Sequence, residues 1–164
     1  MLKEFDLQSL NQSPFDLIGN QWMLIAAGDS QKHNMMTASW GTLGVLWNKN
    51  IAVVFVRPTR YTYEFIEKHD YFSLNFPIDS SVHKICGSKS GRDIDKTKAC
   101  NLTPVLSDGT VYFKESKMVL ICKKIYKTEI DPTLFLDLEI EKHYPLKDYH
   151  KVFIGEIIKA YKKD

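Results

Sequence analysis

The sequence predicts a mostly β fold with a few inserted helices, and three observations carry that expectation. Short runs rich in Val, Ile, Phe and Tyr recur along the chain, explicit turn signals separate them, and only two segments show helical spacing. The 164 residues, 44% hydrophobic and 26% charged, describe one ordinary domain. At that length folding buries roughly 70% of the unfolded surface, so the core needs neither disulfides nor a structural metal.

In chain order, strands are expected at Trp22 to Ala27, which Asp29 and Ser30 close, at Asn34 to Trp40, and at Ile51 to Val56. Trp47-Asn48-Lys49-Asn50 has the composition of a polar hairpin turn. Thr59 to His69 places Tyr61, Phe65 and Ile66 on one helical face, with Pro58 suited to the first position, and Ser80 to Ser88 turns Val82 and Ile85 inward. Ser107-Asp108-Gly109 marks a further turn, followed by strands at Thr110 to Phe113, Met118 to Tyr126, Leu134 to Lys142 and Lys151 to Tyr161. Asp137, Glu139 and Glu141 alternate as the solvent face of the penultimate strand. Short links imply antiparallel neighbours, and such a set of strands either closes as a barrel or packs as a sandwich.

Composition excludes several function classes. No apolar run approaches the roughly 20 residues of a membrane span, and the N-terminus lacks a basic region followed by an apolar one, so a cytoplasmic location is expected. Cys86, Cys100 and Cys122 are widely spaced and read as reduced thiols. The five histidines lack the close spacing of a metal site, and neither a hydrolase elbow nor a Rossmann glycine motif occurs. Residues 1–82 hold six basic and eight acidic side chains, residues 83–164 sixteen and twelve. So mild an excess suits a small anion better than a nucleic acid.

Three segments can carry chemistry. In Asn34-Met35-Met36-Thr37-Ala38-Ser39-Trp40-Gly41, small side chains let a flat ligand approach the backbone, whose N–H and C=O groups can bond a heterocycle edge beside Met36 and Trp40. The same pattern also fits a plain half-buried strand. Arg57-Pro58-Thr59-Arg60-Tyr61-Thr62 sits where a strand hands over to a helix, a place where free N–H groups, the helix dipole and two arginines favour an anion; a solvated capping turn fits it equally. Cys86 to Lys96 is a Gly/Ser stretch bearing Lys89, Arg92 and Lys96, either an anion-contacting loop or a solvated one, and it lacks the Walker spacing.

Taken in this order, Asn-Met-Met-Thr-Ala-Ser-Trp-Gly, Arg-Pro-x-Arg-Tyr-Thr-Tyr-Glu and Ser-Gly-Arg-Asp-x-Asp-Lys resemble the flavin reductase-like family of FMN-binding split barrels, in particular its flavoredoxin-like branch. The resemblance extends from about residue 20 to 160, including Tyr71 to Pro77 and the closing His150-x-x-Phe153-Ile154-Gly155-Glu156. It implies a Greek-key barrel with helical excursions, a homodimer, and FMN near the subunit interface. By the family pattern Thr37, Ala38, Ser39 and Trp40 line the isoalloxazine, while Arg57, Arg60 and Thr62 hold the phosphate. Ser88, Ser90, Gly91 and Lys96 belong to the loop closing over the cofactor, and Asn34, Met36 and Tyr61 complete the candidate set. The implied chemistry needs no catalytic side chain, because the flavin carries it and the protein supplies position and electrostatics. NAD(P)H is the expected donor and a flavin, small molecule or protein the acceptor. The alternatives are an FMN electron carrier that uses nicotinamide poorly, and a non-catalytic module.

Overall fold

A computed structural model describes residues 1–163. Its strands are β1 Lys3–Glu4, β2 Met23–Gly28, β3 His33–Ala38, β4 Gly41–Leu46, β5 Lys49–Val56, β6 Tyr71–Pro77, β7 Pro104–Ser107, β8 Thr110–Phe113, β9 Ser116–Glu129 and β10 Lys151–Lys162. Among the described residues three α-helices, α1 Tyr61–Lys68, α2 Val82–Ser88 and α3 Lys96–Ala99, and a π-helical turn at Asp16–Asn20 interrupt them. The main sheet is antiparallel throughout, in the order β3-β2-β6-β9-β10-β5-β4, with β1 added beside β10. β7 and β8 form a separate ribbon.

The outermost strands of that order, β3 and β4, are consecutive in the chain, with only Ser39 and Trp40 between them. Two intervening residues span at most about 11 Å. The sheet therefore curls until its edges approach, giving a split barrel whose seam is spanned by Ser39 and Trp40. Of the two geometries the strand pattern left open, this is the barrel.

Side chains alternate across a strand, and β2 uses both faces. Met23, Ile25 and Ala27 enter the barrel core with Val54, Phe72, Leu120 and Phe153, while Leu24 and Ala26 join an outer cluster with Val82, Cys86, Val111 and Phe113. The outer layer, made by α2 and the β7–β8 ribbon, anchors α2 beside β3. On β10 a Cβ at Gly155 would lie 2.7 Å from the Phe72 ring, so the core tolerates no side chain there. Among the described residues no helix is long and apolar enough to cross a membrane.

The structure corrects the expected strand at Leu134 to Lys142. That stretch is irregular, with 3₁₀ turns at Pro132–Leu134 and Leu138–His143. Asp131 accepts from Thr133 N at 2.8 Å and Asp137 from Glu139 N at 3.0 Å, and these local bonds bend the chain instead of letting it pair. Leu134, Leu136 and Leu138 are exposed. The acidic residues accordingly form no strand face: Asp137 caps a turn, Glu139 pairs with Lys142, and Glu141 accepts from the Tyr149 hydroxyl at 2.6 Å. The expected four-residue turn also narrows to Trp47-Asn48, both left-handed with φ of 52° and 58°, and β4 precedes it as an additional strand.

Candidate functional site

Two adjoining cavities open along β3, the first of them at the seam. The first, about 230 Å³, is lined by residues 36–40 together with Phe55, Arg57, Arg60 and His150. The second, about 130 Å³, is lined by Asn34, Met36, residues 59–62, residues 88–91 and Lys96. Met36 and Arg60 belong to both. Every site residue expected from the sequence faces one cavity or the other.

The first cavity is a strand surface. Ala38 and Ser39 present little side chain, and Thr37 Oγ1 is held 3.1 Å from Nδ1 of buried His83 on α2. Trp40, 44% exposed, meets the rings of His143 and His150 edge-on or tilted at 5.3 Å each. His150 is buried against the Tyr144 hydroxyl, 2.8 Å from its Nδ1. Burial, reinforced by the Arg57 charge, pushes its pKa down to about 4, so the imidazole is neutral near pH 7. Arg57 gives one N–H to Asp148 and another to the His143 carbonyl, both at 2.7 Å, and lies over the Tyr144 ring. Its charge is already matched.

The second cavity is built from ends and loops. Arg60 caps α1 from an extended conformation and gives the helix no side-chain hydrogen bond. Its guanidinium donates to Gly87 O at 2.9 Å, and Lys96 Nζ donates to Met35 O and Cys86 O at 3.0 Å each. Lys96 is only 5% exposed. Among the described residues neither cation has a carboxylate partner. Burial lowers both pKa values below the ordinary, the Arg57 charge adding to the effect at Arg60 and Arg60 to that at Lys96. The carbonyls at the end of α2 compensate partly through their dipoles. Asn34 donates to Thr62 Oγ1 at 2.9 Å and fixes the floor. Gly91 rides over it, where a Cβ would fall 2.1 Å from Asn34 Oδ1.

The sequence matches the family model of the flavin reductase like domain over residues 15–164. The chain belongs to this family. Comparison with curated proteins finds no match. Among solved structures this flavin reductase-like chain is similar to a flavoredoxin from Methanosarcina acetivorans, at 28% identity and TM-score 0.68 over 88% of this chain and 69% of that one. It is also similar to an FMN-binding domain of a flavin reductases-like enzyme from Shewanella baltica, at 20% identity and TM-score 0.69 over 99% and 77%. A third likeness, to an NADH:FAD oxidoreductase from Streptomyces globisporus, has 16% identity and TM-score 0.66 over 87% and 75%. These last two speak for the fold.

Within this flavin reductase-like barrel the placement of one residue differs from expectation. Arg57, grouped by sequence with Arg60 and Thr62, lines the first cavity and not the second. Phe55 and His150 are additions. Phe55 lies near the end of β5, two residues before Arg57, and His150 opens the closing segment, but no local pattern in the sequence brings those two segments to the cavity.

Proposed function

We propose that this chain binds FMN across the two joined cavities and acts as an oxidoreductase, taking electrons from NAD(P)H and delivering them to flavin or another acceptor. The observation that carries this is the division at Arg60: on one side a small-residue surface where the Arg57 charge is matched by Asp148, and on the other buried Lys96 and half-buried Arg60 without a carboxylate. A planar ring with an anionic tail has that polarity. When bound, FMN supplies a ring that exchanges two electrons with a nicotinamide donor.

On the tail side Arg60 and Lys96 give charge-assisted bonds, the Ser90 hydroxyl, which accepts from Arg92 N, adds a donor, and the first turn of α1 contributes its dipole, while Ser88, whose hydroxyl donates to Lys84 O, lines the wall. Thr62 and Tyr61 form the wall. On the ring side the backbone of residues 37–40 offers N–H groups to a polar edge, and Ala38 and Ser39 keep the approach close. Met36 and Trp40 give apolar contact. Neutral His150 adds no charge beside the ring, and the Arg57–Asp148 pair steadies the segment behind Trp40.

The likeness to a flavoredoxin favours a second reading, an FMN electron carrier that uses nicotinamide poorly. One experiment separates them: FMN is titrated into the purified protein, then NADH or NADPH is added without oxygen while the oxidised flavin band is followed. Rapid bleaching is expected. Bound but unbleached flavin would select the carrier, and an absence of FMN binding would end both. We further infer a homodimer, in keeping with exposed Leu134, Leu136, Leu138 and Leu146 on the segment before β10. Light scattering giving a monomer mass would refute it. A cytoplasmic setting agrees with three free cysteines.

A further inference from the structure

Cys86 on α2 and Cys100, the C-cap residue of α3, hold their sulfurs 3.6 Å apart with no bond between them. The segment between them carries Ser88, Ser90, Gly91 and Lys96 of the second cavity. Cys86 O is itself an acceptor of the Lys96 ammonium. Cys122 has no such neighbour and lies within the barrel core, its Sγ directed at Leu120 O.

We propose that Cys86 and Cys100 form a reversible thiol–disulfide site that takes a low-molecular-weight disulfide as oxidant and clamps the loop bearing Lys96. The sulfurs need to close by only about 1.5 Å to reach a bond of ordinary length. The two cysteines differ in access. Cys86 is fully buried, whereas Cys100 is half-buried, so Cys100 meets the oxidant first. Burial raises the Cys86 thiol above its ordinary value, so Cys86 is a poor first nucleophile.

Cys100 thiolate attacks one sulfur of the oxidant RSSR, forming Cys100–S–SR and releasing one RS⁻, which takes up the proton that Cys100 lost. Cys86 then attacks the Cys100 sulfur and expels the second RS⁻, which takes the Cys86 proton. The protein has lost two electrons and RSSR has gained them as two RSH. The product ties the end of α2 to the end of α3. Because the loop between them supplies Lys96, Ser88 and Ser90, its restraint slows release of a bound anion; this consequence rests on the FMN reading above.

The test treats the full chain with oxidised glutathione and counts thiols after unfolding. Loss of two of the three thiols is expected, with a Cys86–Cys100 cross-linked peptide in a non-reducing digest and recovery in dithiothreitol. Retention of all three thiols, a glutathione adduct stopping at Cys100, or a disulfide between chains would each overturn the site. Cys100→Ser abolishes the cross-link and Cys122→Ser leaves it intact; if Cys100→Ser is unfolded, the peptide map of the wild-type chain still decides. FMN release is then timed for oxidised and reduced protein. A slower rate on oxidation is expected, and equal rates would remove the clamp while leaving the thiol site. Cross-linking needs no flavin, so failure to bind FMN is read separately from failure of the cysteine pair.

Discussion

The two cavities meet at Met36 and Arg60, yet they treat charge in opposite ways. On the strand side Arg57 is matched by Asp148 and His150 is held neutral. On the helix side Lys96 is buried and Arg60 half-buried, with carbonyl dipoles for partners and no carboxylate among the described residues. An isolated buried charge is costly. The chain accepts that cost at one end of the site only, and under the proposed FMN reading the difference teaches how a fold built from ordinary strands would distinguish the two ends of a ligand: counter-charge is withheld where the ligand would bring it.

Riboflavin and FMN differ by the phosphate alone, so the pair reports on the two cavities separately. The largest effect is expected from Ala38→Trp, whose indole fills the strand-side cavity: both ligands should weaken by roughly 100-fold or more, about 3 kcal/mol. An unchanged affinity for either would show that the ring lies elsewhere. Arg60→Ala should weaken FMN by about 1.5–3 kcal/mol and leave riboflavin nearly untouched. Equal losses for both ligands in a fluorescence titration would erase the division between the cavities.

The sequence made one side of this comparison easier to read than the other. Residues 34–41 and 57–62 are contiguous, so their chemistry is visible in one dimension, and Ile51 to Val56 is apolar enough to read as a strand. The seam itself was hidden. β4 has mostly exposed residues and two glycines, Gly41 and Gly44, which blur any alternation. Leu134 to Lys142 alternates well, yet Asx bonds from Asp131 and Asp137 fold it into turns, leaving its leucines outside. His150 and Phe55 reach the cavity only because β10 pairs with β5, a register of Val152 with Phe55 that no local pattern encodes. The same holds for Asp148, which lies 91 positions from the arginine it neutralises.

Titration gives a third test of the strand side. The folded His150 pKa, about 4, lies below the ordinary value of 6.5. The unfolded chain therefore binds more protons between those values, and stability present above pH 6.5 is lost as pH falls toward 4. About 2 kcal/mol of that loss is expected from His150. His150→Gln keeps a neutral polar group near Tyr144 and should flatten the curve by that amount in urea titrations at pH 7 and pH 4.5. Parallel curves for the two proteins would mean that His150 is not held neutral by the fold.

The smallest expected effect concerns Arg57, and it sharpens the contrast most. If its charge belongs to Asp148, Arg57→Ala removes a half-buried ion pair, the bond to His143 O and the stacking over Tyr144, for a stability loss of about 1 kcal/mol. Any loosening behind Trp40 would then affect the ring and so weaken riboflavin and FMN alike, leaving their affinity ratio where it was. Arg57→Lys keeps the charge without the planar fork and should restore only part of the stability. If Arg57→Ala instead lowered FMN affinity while sparing riboflavin, as expected for Arg60→Ala, Arg57 would be turning from Asp148 toward the phosphate on binding. The matched charge of the strand side would then be a resting arrangement and not a permanent one.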